Sequence, residues 1–187
     1  MTTRPSTIMV IRHGEKPAET PHPTPSLGID AAGVAHPTSL IPRGWQRAGA
    51  LAVILGGDAL RAPLARPTTL MSPDYGAETA RHRTSETIQP LAARLGLTPV
   101  HPAPTGHEKH VVKHAVLTTP GTILLCWEHH HIADIMAALA HHLGITDLPP
   151  IAHAWPEDDF DSVIVVAVAD PPTVTVVSQD VLAGDNT

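Results

Sequence analysis

The 187-residue sequence is poor in cysteine, in lysine and in long apolar runs, and each shortage argues against a class of protein. Cys126 is the only cysteine, so no disulfide can form within the chain, and a reducing compartment is the simpler expectation. Lys and Arg number 12 against 18 Asp and Glu, which leaves no overall positive field to hold nucleic acid or an anionic membrane. An anion site in this chain therefore needs a local cluster of Arg, His and backbone N–H groups.

The apolar residues form no run that approaches the roughly 20 residues needed to span a bilayer. The segment from Met1 to Ser6 also lacks the apolar stretch of a signal peptide. We therefore expect a cytoplasmic protein with no membrane partner. A length of 187 residues fits a single domain over residues 1–187.

Proline and histidine are abundant, with 20 and 14 residues, whereas tyrosine and phenylalanine occur once each. Six of the prolines fall between Pro17 and Pro42, in a stretch that shows neither a helical nor a strand period. A long irregular segment inside a compact domain is usually functional or disordered. We predict that residues 17–42 form a loop over the mouth of a site.

Strand and helix patterns alternate along the rest of the chain. Apolar runs without alternation predict buried strands, and apolar stripes at helical spacing predict helices. We predict strands over 7–11, 68–71, 98–100, 122–127, 163–168 and 174–177, and helices over 44–55, 79–95 (with a kink or split at Pro90), 108–117 and 132–143. The link between the last two strands is too short for a parallel crossover. The predicted fold class is α/β: a three-layer sandwich with a mostly parallel central sheet, an antiparallel edge hairpin and helices on both faces.

Two histidines come directly after predicted strands, where open α/β sheets form their ligand sites. His13 follows the first strand, and His129 follows the strand over 122–127. Arg12 precedes His13, and its positive charge favours the neutral imidazole that can attack phosphorus. The Arg12 guanidinium can also donate two hydrogen bonds to phosphate oxygens.

The residues Arg12-His13-Gly14-Glu15 resemble the signature of the histidine phosphatase (phosphoglycerate mutase-like) superfamily. With Lys16 and Pro17 the motif is similar to that of a small bacterial subgroup that opens with Arg-His-Gly-Glu-Lys-Pro. Further elements of the family's pattern follow in order: residues 40–48, Ser72-Pro73, Arg83 with Thr87, His129, and Trp155-Pro156 before Asp159-Phe160-Asp161. The resemblance extends over about residues 7–178.

This resemblance implies a phosphate pocket made of Arg12, His13, Arg83 and His129. His13 is then the nucleophile that becomes phosphohistidine, while the other three side chains stabilise charge on the transferring group. Arg81 competes with Arg83 for its role, but the family's spacing favours Arg83. The implied reaction is hydrolysis of a small phosphorylated substrate, without a cofactor.

The acid that protonates the leaving oxygen is where the sequence departs from the family's pattern. Some branches have an Asp directly after the second histidine, where this chain has His130. Other branches use a Glu between the second arginine and the second histidine, and Glu108 is the predicted acid on that basis. Asp159 is the second candidate and Glu15 the third.

Metal binding and two other functions stay open beside this interpretation. The three histidines over 129–131 lack the spacing that brings ligands to one ion, whereas His107, His110 and His114 share helical spacing. We predict a metal-independent enzyme with no metal site. A phosphomutase could use the same pocket, although a chain with three lysines favours hydrolysis. A non-catalytic protein that binds phosphorylated ligands is the third alternative.

Overall fold

The computed structural model describes residues 4–17 and 27–185, which form an α/β sandwich. The strands are β1 (Pro5–Arg12), β2 (Thr69–Met71), β3 (Gly121–Trp127), β4 (Ser162–Ala167) and β5 (Thr173–Ser178). The helices are α1 (Pro42–Gly56), α2 (Arg83–Leu95), α3 (Glu108–Val111), α4 (His129–Leu143) and α5 (Pro150–His153). A 3-10 helix over Gly76–Arg81 precedes α2, and a π-helical turn over Val112–Val116 continues α3.

The described strands form one sheet in the order β2-β3-β1-β4-β5. The first three strands in this order are parallel, and β4 and β5 are antiparallel to their neighbours. The β4–β5 pair is the predicted edge hairpin. The predicted fold class is therefore confirmed, including the parallel centre and the antiparallel edge.

Both faces of the sheet are covered, because side chains of the central strands alternate between two apolar cores. In β1, Ile8 and Val10 pack with the π-helical turn and α4, whereas Met9 and Ile11 pack with α1 and α2. Each fully buried aliphatic side chain of this kind contributes about 1.5–3 kcal/mol. Burial on both faces explains why the strand shows no alternation of apolar and polar residues.

The structure differs from the predicted elements at several points. The helical segment over 79–95 is interrupted at His82, while α2 continues through Pro90. The His82 imidazole accepts a hydrogen bond from the Thr84 backbone N–H, so it caps the start of α2. The predicted strand over 98–100 is reduced to a single bridge between Val100 and Met71. A short helix, α5, lies where no element was predicted.

The proline-rich segment over 17–42 lies partly outside the described residues, which resume at Leu27. From residue 27 to the start of α1 the chain is irregular, with one isolated bridge between Ile29 and Ala35. Trp45 donates its indole N–H to the carbonyl of Ile29 at 2.7 Å, and the Arg83 N–H donates to the carbonyl of Thr38 at 2.9 Å. The described part of this segment therefore borders α2 at the residue predicted to bind phosphate.

Over the described residues, none of the helices combines the length and apolar character needed to cross a bilayer.

Candidate active site

His13 and His129 lie close together because β1 and β3 are neighbouring parallel strands. Arg12 lies opposite Trp127 in the strand register, and the His13 N–H extends the ladder to the carbonyl of Trp127. The chain therefore leaves both strands at the same edge of the sheet. The rings of His13 and His129 lie 6.4 Å apart between centroids, at an interplanar angle of 81°.

His13 is 2% exposed and held in one orientation by its own loop. Its Nδ1 lies 2.7 Å from the carbonyl oxygen of Gly14, which can only accept, so Nδ1 carries the hydrogen. In the neutral ring, Nε2 then carries the free lone pair. Burial lowers the pKa of His13 well below its usual value, against the hydrogen bond to Gly14 and with the help of the Arg83 and Arg12 charges.

Arg12 is buried beside His13, and only part of its guanidinium group has hydrogen-bond partners. Its Nη1 donates to the backbone carbonyls of Pro156 at 3.1 Å and Glu157 at 2.5 Å, while Cζ lies 3.9 Å above the ring of Phe160. Its Nε and Nη2 have no hydrogen-bond partner among the described residues. Burial lowers the pKa of Arg12 to about 10, opposed by the nearby acidic groups, so the side chain remains cationic at neutral pH.

Arg83 and Thr87, four residues apart on α2, tie that helix to the loop after β1. The Gly14 N–H donates to the Thr87 hydroxyl at 2.8 Å, and this hydroxyl donates to the carbonyl of Arg83 at 2.7 Å. The Nε of Arg83 is buried without a partner in the described chain. The motif spacing seen in the sequence thus has a structural cause: one residue carries the charge and the other anchors the loop.

His129 begins α4 at the end of β3 and is 5% exposed. Neither ring nitrogen has a hydrogen-bond partner among the residues described. The Glu157 Oε1 lies 3.3 Å from Nε2, which is ion-pair range, but the pair lacks the alignment of a hydrogen bond. Burial lowers the pKa of His129, and the charge of Arg12 adds to the effect.

The unpartnered atoms define the site. In the described chain, every buried side-chain nitrogen or oxygen without a partner belongs to Arg12, Arg83 or His129. Buried polar groups in folded proteins are almost always hydrogen-bonded, and a group left open calls for an explanation. Two cations and an imidazole next to His13 supply hydrogen-bond donors for an anion. An anion is the kind of ligand that these open donors can bind.

Glu108, the predicted acid, has hydrogen-bond partners of its own. Its carboxylate accepts from the Gly106 N–H at 2.9 Å and from the Trp127 indole at 3.1 Å, and it lies 3.3 Å from His131 Nδ1. Among the described residues, these recorded partners do not include Arg12, His13, Arg83 or His129. The contacts of Glu108 are thus with the loop before α3, the end of β3 and the first turn of α4.

The other two candidate acids also have partners outside the pocket. The Asp159 carboxylate accepts from the Asp161 and Ser162 N–H groups at 2.9 Å each, so it shapes the turn into β4. The Glu15 carboxylate is bound by Arg47 at 2.8 Å and by Arg43 at 3.1 Å. Each carboxylate holds backbone or arginine in place.

Sequence reasoning missed two groups of side chains beside the pocket. Glu157 reaches His129 from the loop before β4, where it lies between Trp155-Pro156 and Asp159 of the motif but was not singled out. On the other side the Tyr75 hydroxyl donates to Glu128, and the Tyr75 ring stacks on His82 with centroids 3.7 Å apart. Burial alone raises the pKa of Glu128, but the Tyr75 hydrogen bond and the charges of His82 and Arg83 lower it. The position of Glu128, one residue before His129, was the available signal.

Two groups of described side chains have ligand atoms close enough to hold a metal ion, within 4.8 Å of one another. The first is His129 with His130 and Glu157, at the pocket. The second is Glu108 with His131 and Asp134. The helical group considered from the sequence is not among these sets in the described residues, although the His110 and His114 rings do lie 4.6 Å apart.

Comparison with known proteins adds little to this geometry. No protein-family description and no curated protein matches the chain. Among solved structures, the chain is similar to a protein named "Mycobacterial hydrolase 1", at 13% identity and a TM-score of 0.49. That match covers 95% of this chain and 99% of the other. A likeness at this level carries no argument about activity.

Proposed function

We propose that this protein is a metal-independent phosphomonoester hydrolase of the histidine phosphatase type, acting on a small phosphorylated metabolite. The observation that carries the proposal is the set of unpartnered nitrogens on Arg12, Arg83 and His129 around the neutral imidazole of His13. A nucleophile next to preorganised donors is the arrangement that phosphoryl transfer needs. The order of motifs along the sequence supports the same family.

The first half-reaction follows from the orientation of His13. Its Nε2 lone pair attacks phosphorus, and the bond from phosphorus to the ester oxygen breaks. Charge on the equatorial oxygens is met by the free N–H groups of Arg12 and Arg83 and by His129. The Gly14 carbonyl keeps the Nδ1 proton and stabilises the positive charge that develops on the ring.

The second half-reaction returns His13 to its neutral form. Water attacks the phosphohistidine, loses a proton to a carboxylate, and the bond between phosphorus and Nε2 breaks. The geometry favours Glu157 as this carboxylate, because its Oε1 lies next to His129 and its side chain is 74% exposed towards solvent. The neutral form of the same group, which the second half-reaction regenerates, gives its proton to the leaving oxygen in the first step, although the contact with His129 lowers the pKa of Glu157 and favours the ionised form. Glu108 stays a prediction from the sequence.

His13→Ala tests the proposal directly. We expect the wild type to release phosphate from a panel of phosphomonoesters and to form an acid-labile, base-stable phosphoprotein on rapid quenching. The His13→Ala variant should lose both, with turnover lower by about four orders of magnitude or more. His153→Ala, which changes an exposed histidine on α5, serves as the matched control.

A folded His13→Ala variant that releases phosphate at near wild-type rate would overturn the nucleophile. A wild type that binds vanadate but turns over no ester would instead support a non-catalytic phosphate binder. Transfer of the labelled group to a second hydroxyl compound, rather than to water, would support a mutase.

A further inference from the structure

A second ligand set shares one residue with the phosphate pocket. His129, His130 and Glu157 each direct one ligand atom to the same place, and all three atoms lie within 4.8 Å of one another. The Glu157 Oε1 lies 3.3 Å from Nε2 of His129 and 3.7 Å from Nε2 of His130. The two imidazole rings lie side by side, with centroids 3.8 Å apart.

These separations match the edges of a small coordination sphere. Zinc binds histidine nitrogen and carboxylate oxygen at about 2.0–2.2 Å in tetrahedral sites, which places neighbouring ligand atoms roughly 3.3–3.6 Å apart. One observed separation equals that edge and the other is slightly longer. Small side-chain rotations of the exposed His130 and Glu157 close the remaining difference.

His129 has two open ring nitrogens, one more than a hydrogen bond to a phosphoryl oxygen uses. Its side chain is 96% buried, yet neither ring nitrogen has a hydrogen-bond partner in the described parts of the chain. A ring nitrogen this deeply buried needs a partner. The Glu157 Oε1 lies 3.3 Å from Nε2 of this ring, so a carboxylate is close to the open nitrogen.

The chemistry of the ligands selects the ion. Two imidazoles and one carboxylate suit transition metals such as zinc, nickel, copper or iron, whereas Mg²⁺ and Ca²⁺ prefer sets made of oxygen. We propose that His129, His130 and Glu157 bind a divalent transition-metal ion, with Zn²⁺ as the reference ion, and that the bound ion inhibits the phosphatase.

Inhibition follows from the shared residues, and this part of the proposal rests on the proposed function. A metal bound to His129 occupies the lone pair of Nε2 and fixes the ring beside Glu157. The ring then no longer adjusts to the transferring phosphoryl group. The same ion engages the carboxylate that serves the leaving oxygen and the attacking water. One ion therefore takes two groups out of the reaction.

The other candidate set is a weaker site. Glu108 already accepts hydrogen bonds from Gly106 and Trp127 on the oxygen that faces His131. An ion there would have to displace these buried partners, and leaving them unpaired is costly. The set around His129 has no such competitors among the described residues.

The test uses tag-free protein freed of metal, the variant His130→Ala, and two control variants, His131→Ala and His141→Ala. Binding is measured first, without substrate, from the visible absorption of added Co²⁺ and its displacement by Zn²⁺. Activity on a nitrophenyl phosphate is then measured over a range of buffered free Zn²⁺.

We expect wild type and both controls to bind one Co²⁺, and to lose at least tenfold in kcat/KM when saturated with Zn²⁺. His130→Ala should keep its metal-free activity within about twofold, because the ring is 66% exposed and outside the pocket. Its affinity for Co²⁺ should fall by at least the roughly 10- to 100-fold that even an outer-sphere change costs. Its activity should resist zinc at concentrations that inhibit the wild type.

Several outcomes would overturn the inference. Binding that survives His130→Ala but is lost in His131→Ala would move the ion to the set around Glu108. Zinc that restores activity lost on chelation would make the ion an activator. A wild type without phosphatase activity would remove the inhibitory role, but Co²⁺ binding that depends on His130 would still establish the ion site. Failure of the proposed function and failure of the metal site are thus separate results.

Discussion

Two buried arginines, Arg12 and Arg47, differ in how far their guanidinium groups are hydrogen-bonded. All three guanidinium nitrogens of Arg47, on α1, donate hydrogen bonds. Nε and Nη2 donate to Glu15, Nη2 also donates to Asp185 at 2.6 Å, and Nη1 donates to Gln179 and Asp185. Arg12 donates through Nη1 to backbone carbonyls, and its other two nitrogens find no partner in the described chain.

The pKa values express the same difference. Burial acts to lower the pKa of both guanidinium groups. At Arg47 the hydrogen bonds that the guanidinium donates to Glu15 and Asp185 more than offset the effect of burial, and the pKa is raised. At Arg12 burial prevails, and the pKa is lowered to about 10. A buried cation that is fully paired serves the fold, whereas one with open donors is suited to an anionic ligand.

Replacing Arg47 gives the largest expected effect on this comparison. Arg47→Met leaves the buried carboxylates of Glu15 and Asp185 with only the half-exposed Arg43 as a nearby cation, so the free energy of unfolding should fall by about 3 kcal/mol. Urea denaturation measures it. Arg66→Met, which breaks the exposed pair with Asp58, should cost no more than about 1 kcal/mol. Equal losses in the two variants would remove the distinction between a structural and a surface arginine.

Replacing Arg12 tests the arginine whose donors lack partners. Arg12→Met removes donors that meet the phosphoryl oxygens, so kcat should fall by about 10²–10³-fold. The unfolding free energy should change less than in Arg47→Met, because the cation it removes is incompletely paired. Steady-state kinetics and urea denaturation of the same preparation measure both. A variant that unfolds easily but keeps its kcat would place Arg12 with Arg47 as a structural group.

The contrast between engaged and open groups extends to two carboxylates, Glu108 and Glu157. Glu157→Gln should lower the rate on an alkyl phosphate by about 10²-fold, and change the rate on a nitrophenyl phosphate little, since nitrophenolate leaves without a proton. Glu108→Gln should show no such dependence on the leaving group. The reverse pattern in the two variants would return the acid to the residue predicted from the sequence.

The smallest expected effect is on the pH dependence of stability, where the region around His13 and the region around Arg47 should respond in different pH ranges. His13 and His82 have lowered pKa values in the folded chain. Below about pH 6.5 the unfolded chain therefore binds protons that the folded chain does not, and the free energy of unfolding decreases as the pH is lowered. Asp185, whose pKa is lowered by Arg47 against the effect of burial, adds stability above about pH 4 that is lost below it.

Urea midpoints between pH 7.5 and pH 3 measure these two windows. His13→Asn should flatten the upper window and leave the lower, whereas Arg47→Met should retain the upper and weaken the lower. A single change in slope, unaffected by either variant, would mean that neither region governs acid stability.

The strands and the pocket residues could be predicted from the sequence because both depend on short sequence patterns. A buried strand reveals itself as an apolar run, and the residues that follow parallel neighbours, such as His13 and His129, must emerge at one edge. Arg83 could be found because its hydrogen-bonded partner Thr87 lies one helical turn away on the same helix. These inferences needed no knowledge of how distant loops fold.

The remaining features depend on contacts between distant segments. Pro90 does not end α2, since tertiary packing of Leu91 and Ala92 outweighs the local cost of proline. Glu157 reaches His129 only after the chain has passed through α4 and α5, so the contact depends on how these helices pack. Glu108 follows a helix-start pattern, but the indole of Trp127 turns its carboxylate to a structural role.

The hydrogen bond from His13 Nδ1 to Gly14 has a consequence for the covalent intermediate. A ring nitrogen that donates to a carbonyl cannot also accept phosphorus, so the label must sit on the opposite nitrogen. The intermediate of the proposed reaction is therefore the tele isomer of phosphohistidine, and the pros isomer is excluded by the geometry of the loop. Phosphorus NMR and isomer-specific antibodies distinguish the two, so the proposed reaction has a regiochemical signature set by one backbone carbonyl.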